Sequence, residues 1–232
     1  MTYRTIPLAA ALALSAGAAS ADDHAAVQGY ALAGDGATLV TMASLAAPGE
    51  TRSVALAERV DAIAYRPVTG ALLGYAREGA LYEIDPMSGA MRDVDASFAD
   101  DAVITGVAVA FDFNNAIDAV RIVGSDGANL VYFPDEFGDE RAGSVRRFTD
   151  VFYAEGDVNE GRTPLLYANA YTSAIAGAKA SSTFQYALDA RTNALVSLAN
   201  NAGELKTIGP VTVGGAPADI VTAGGFDIVS PE

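Results

Sequence analysis

Seven polar residues are the best candidates for chemistry in this chain. Asp112, Asn114, Asp118, Arg121 and Asn129 fall within one short stretch, and Arg66 and Asn169 stand at related positions in neighbouring repeats. An arginine among amides and carboxylates can hold a small anion or polar ligand, because a guanidinium presents two parallel N–H donors. The same residue types also serve a local role. Asp112, Asn114 and Asn115 suit Asx-turns between strands, and Asp118 with Arg121 can form an ion pair that holds strands together. No residue is assigned a catalytic role. Two acidic loops offer a second chemistry: Asp93, Asp95, Asp100 and Asp101 crowd one, and Asp135, Glu136, Asp139 and Glu140 the other. Dense carboxylates can hold Ca²⁺, which takes ~6–8 oxygen ligands. The first loop is the weak calcium candidate, although Phe98 and Ile104 stand where the EF-hand order needs glycine and glutamate. A solvated charged loop is the plainer reading. No other cofactor is expected.

Composition removes many alternatives. The 232 residues contain no cysteine, no tryptophan and a single histidine, His24. Disulfides, thiolate metal sites and cysteine nucleophiles are therefore excluded, and a Ser-His-Asp triad or multi-histidine zinc site is disfavoured. With 29 acidic against 14 basic residues the formal charge is −15. The basic residues are dispersed, so no patch suits a phosphate backbone and no nucleic-acid partner is expected. Paired carboxylates for glycoside hydrolysis need only lie ~5–9 Å apart in space, and nothing in the sequence selects a pair. P-loop, G-x-S-x-G and dinucleotide fingerprints are absent.

Residues 1–21 read as a secretory signal peptide. Arg4 supplies a positive start, Ile6–Leu14 an apolar run, and Ala19-Ser20-Ala21 a small-residue cleavage site. The mature chain is then residues 22–232, and losing Arg4 takes its charge to −16. No later stretch is long and apolar enough to span a bilayer. An exported, soluble monomer in the periplasm or outside the cell is expected.

The elements that must position the polar residues are short strands. Leu81–Ile84, Ala119–Val123, Leu130–Phe133, Phe184–Leu188 and Leu195–Leu198 are each bounded by Gly, Asp, Asn or Pro. Ser53–Ala64 is the best helix candidate, with Thr51 or Ser53 as cap. Residues 64–86 and 111–133 repeat one order: aromatic, turn, strand, glycine turn, strand. Aligning Leu81 with Leu130 gives a period of 49 residues. A third copy aligns Phe184 with Leu130, and a partial copy aligns Leu39 with Leu81. The ending Gly225-Phe226-Asp227-Ile228 repeats the strand Ala110-Phe111-Asp112-Phe113. Such repetition predicts an all-β fold, a β-propeller of four or five blades closed by N- and C-terminal strands, with a β-sandwich as the alternative. One domain, 22–232, is expected.

Tyr65-Arg66-Pro67-Val68-Thr69-Gly70, Phe111-Asp112-Phe113-Asn114-Asn115, Gly127-Ala128-Asn129-Leu130 and Ala168-Asn169-Ala170-Tyr171-Thr172 resemble the DUF4394 family of exported bacterial proteins. The resemblance implies propeller-like repeats and export, and no reaction. The sequence departs from the pattern at Asn115, where proline is usual, and at Val131, where arginine commonly follows Asn-Leu. Two functions fit. The first is an exported module binding a small polar ligand or an extracytoplasmic protein. The alternative is a calcium-dependent hydrolase of lactonase type, with its site at the channel mouth.

Overall fold

The computed structural model describes residues 27–230, so the expected leader lies outside it. The regular structure of the described chain is short strands, with 3-10 turns at Gly34–Gly36, Asp135–Phe137 and Asn200–Ala202. No helix among the described residues is long and apolar enough to cross a membrane.

Four sheets follow one another along the chain. The first holds β1 (Gly29–Ala33), β2 (Thr38–Met42) and β3 (Thr51–Ala55); the second holds β4 (Ala62–Arg66), β5 (Ala71–Ala76), β6 (Ala80–Ile84) and β7 (Met91–Asp93). Each is an antiparallel meander. The third begins with β8 (Ser97–Phe98), continues through β9 (Val109–Asn114), β10 (Ala119–Gly124) and β11 (Asn129–Phe133), and ends at β12 (Ser144–Arg147). Here β8 adds in parallel to the outer edge of β12, so an incoming segment covers that edge. The fourth repeats the arrangement, with β13 (Phe152–Tyr153) parallel to β17 (Glu204–Pro210) beyond β14 (Leu166–Tyr171), β15 (Gln185–Asp189) and β16 (Ala194–Ala199). A small hairpin of β18 (Thr212–Val213) and β19 (Ala216–Pro217) follows.

Strand alternation makes these sheets stack. In β5, Leu72 packs toward the first sheet with Leu39 and Ile84, whereas Leu73 packs toward the third. In β9, Phe111 and Phe113 face the second sheet with Tyr75 and Leu81, while Ala110 faces the fourth with Ala187, Val196 and Leu205. Consecutive sheets thus share three apolar cores. The described residues form no comparable core between the first and fourth sheets.

Several expectations need correction. Among the described residues the terminal segments do not share a sheet: β1 pairs with β2 alone, and residues 224–228 pair with no strand. The inner place beside β4 is already taken by β1, whose Tyr30 stacks on Tyr65 of β4. Among the described residues no sheet closes into a ring. Ser53–Ala64 is not a helix, since β3 and β4 occupy its ends. The 49-residue period aligns β6 with β11, and Leu81 and Leu130 are both fully buried. The other two alignments slip by a strand. Phe184 precedes β15 and is 68% exposed, and Leu39 lies in β2, a second strand where Leu81 lies in a third.

Candidate functional site

The inner strands β1, β4, β9 and β14, together with residues 222–230, line a half-open cavity of about 2050 Å³. Alternation along β9 sends Asp112 to the same side as Ala110, toward the fourth sheet. There its Oδ2 accepts the Tyr171 N–H at 2.6 Å. Burial, followed by the approach of Asp227, pushes the Asp112 carboxyl well above the usual carboxylate range. Asp227 is reached by solvent, but the cavity walls crowd it, and this burial raises its carboxyl too. No ion pair forms at either carboxylate among the described residues.

Asn169 completes this corner. It pairs with Ala187 across the β14–β15 ladder, so it faces the third sheet as Asp112 faces the fourth. Asn169 is 1% exposed, lines the cavity, and among the described residues finds no partner for either its amide nitrogen or its oxygen. Asn115 lies near, donating Nδ2–H to the Thr172 carbonyl at 3.0 Å while its own Oδ1 stays unpaired.

The other expected residues are engaged elsewhere. Arg66 makes a bidentate pair with Asp118, Nε–Oδ1 at 2.8 Å and Nη2–Oδ2 at 2.6 Å, which ties the second sheet to the β9–β10 turn. Glu136 adds a third oxygen at 3.2 Å. Arg121 binds Asn129 Oδ1 at 2.8 Å and Asn201 Oδ1 at 2.7 Å, joining the third sheet to the fourth. Asn129 in turn donates to the carbonyls of Thr149 and Asn200. Asn114 accepts the Ala116 N–H in an Asx-turn. Of the seven expected residues, therefore, the cavity corner gathers Asp112 and Asn169.

The acidic loops do not assemble a metal site. Among the described residues no group of three or more acidic or histidine side chains converges on one point. Asp93 accepts the Asp95 N–H at 2.8 Å. In the second loop Arg141 holds Asp139 at 2.5 Å and lowers its carboxyl to about 2.

The family model of DUF4394, a domain of unknown function, matches residues 38–232. The chain belongs to the DUF4394 family. The match to this DUF4394 domain includes the tail that carries Asp227. No curated protein matches the chain. The two departures noted in the sequence gain a setting: Asn115 uses its side-chain amide to reach the fourth sheet, and Val131 packs with Ala119 and Phe133.

The sequence reading missed Asp227 and the cavity tyrosines Tyr30, Tyr65 and Tyr167 as site residues. For Asp227 the signal was present. Phe226-Asp227 repeats Phe111-Asp112, so the repeat itself paired the two acids.

Proposed function

We propose that this DUF4394 protein is an exported binding module of β-propeller type, with its ligand held among the inner strands. The stacked sheets support the propeller reading: β1, β4, β9 and β14 each form one edge of their sheet and together line one cavity, which residues 222–230 also line. One observation carries the binding reading. Asn169 is buried at the cavity wall beside Asp112 with its whole amide unpartnered. Leaving a buried polar group unsatisfied costs about 1–3 kcal/mol, a cost that a ligand seated there would relieve. The hydrolase alternative has less support, because Asp112, Asn114, Asp118 and Asn129 engage separate partners. A protein-interaction role fits the same scaffold but has no comparable feature behind it.

A thermal-shift screen against Ca²⁺, small carboxylates, oligosaccharides and amines tests the reading. At least one class is expected to raise the Tm of the wild type by several degrees and to leave Asn169→Leu unmoved. A flat response across all classes would remove the binding role and leave a scaffold. Export is tested separately by sequencing the N-terminus of the secreted protein, expected to begin at Asp22.

A further inference from the structure

We propose that the cavity takes an organic cation, whose ammonium group sits between Asp112 and Asp227 and whose adjoining polar group meets Asn169. This rests on the binding-module reading and adds the ligand's charge.

The argument begins with the charges facing the cavity. Asp35, Asp61, Asp112 and Asp227 line it, with Arg59 and Arg77. Arg77 is already committed, with Nε to Asp61 at 2.9 Å and Nη1 to the Gly106 carbonyl at 2.5 Å. Arg59 is exposed, on the segment that leads into β4. Among the described residues the inner pair, Asp112 and Asp227, meets backbone N–H donors and no cation. Two carboxyl groups lining one cavity oppose each other's ionisation, and a positive charge between them favours the ionised form of both.

Asn169 is the independent sign of a ligand. More than nine-tenths buried, it lines the same cavity with two N–H donors and a carbonyl that meet nothing in the protein. Aromatic faces complete the chemistry. Tyr30 and Tyr65 stack at 6.5 Å, Tyr167 lines the wall near the tail, and tyrosine rings attract ammonium groups. A space of about 2050 Å³ far exceeds a bare metal ion and suits an extended molecule. A carboxylate ligand would bring a further acid to this corner, and a neutral polyol would offer neither carboxyl a counter-charge.

The test is isothermal titration of the exported chain with spermidine, maltotriose, citrate and CaCl₂, at a salt concentration that screens surface charge. Spermidine is expected to bind one to one, and at least ten-fold more weakly to Asp112→Asn and to Asp227→Asn. Asp227 is exposed on a segment outside every strand, whereas Asp112 sits within β9 and accepts the Tyr171 N–H, so the Asp227 variant keeps the fold even where the Asp112 variant does not. Spermidine binding that is equal in the wild type and in Asp227→Asn places the cation on the acidic surface and overturns the proposal. Binding of maltotriose, citrate or Ca²⁺ instead, lost in Asn169→Leu, overturns the cation while keeping the binding module. Silence from all four probes also overturns it, and the binding module falls with it if the wider thermal screen is flat.

Discussion

Asp112, with Asp227, differs from Asp85 and Asp139 in the direction its carboxyl is moved, and the difference has a thermodynamic consequence. Asp85 and Asp139 are held low, the first chiefly by the Ser88 hydroxyl and the second by Arg141, so their stabilisation is lost only as pH falls below about 4. Burial and Asp227 move Asp112 the other way. Above about pH 4 the unfolded chain gives up this proton while the folded chain keeps it, so the group lowers stability as pH rises toward its folded value. Denaturant titrations across pH are expected to give Asp112→Asn a flatter profile than the wild type above pH 4; parallel profiles would contradict the assignment. Arg66 and Asp118 belong to a different class, since both are buried and bidentate. Asp118 also holds a left-handed backbone at φ 61°, which asparagine tolerates. Asp118→Asn therefore isolates the lost charge and is expected to cost about 3 kcal/mol in urea unfolding, because Arg66 stays buried with a weakened partner. Residue types alone gave both arginines as ligand donors. Sequence spacing cannot tell a free guanidinium from one already engaged by a neighbouring sheet, whereas Asp112 and Asn169 were legible because repeated strands put them on inner positions.

At the scale of elements, β10 shows how little of a strand's environment its alternation reveals. Val120 and Ile122 share one face and Arg121 takes the other, the pattern of a half-exposed strand, yet all six residues of β10 are buried. The polar face is covered by the fourth sheet, which meets Arg121 with Asn201. Ile122→Ala is expected to lower stability by about 2–5 kcal/mol in denaturant titration, the range for a large-to-small change in a packed core. Gly36 controls a different junction. It has φ 88°, and a Cβ there would overlap the Val60 carbonyl oxygen at the approach to β4. Gly36→Ala is expected to cost at least about 2 kcal/mol, read in the same way. The repeat period found the second and third sheets because their inner hairpins have closely similar spacing. It slipped at the fourth, where residues 172–184 lengthen the β14–β15 connection and send Gly177 N–H to the Pro67 carbonyl of the second sheet.

At the scale of the molecule, four stacked sheets share three cores, and the tail lines the cavity beside the inner strands. The all-β class followed from the abundance of short, turn-bounded strands. Closure did not, because the likeness of Gly225–Ile228 to β9 records sequence and not the edge against which a strand can pair. Ending the chain at Val221 leaves all three cores intact, so cooperative unfolding is expected to persist with a Tm change of a few degrees. The same truncation removes Asp227 and is expected to abolish spermidine binding. Hydrogen–deuterium exchange with and without spermidine tests the central claim most directly. A ligand among the inner strands slows exchange in Val109–Asn114, Leu166–Tyr171 and residues 222–230, and leaves β3 and β7 unchanged. Protection confined to the outer strands, or none at all, would contradict it.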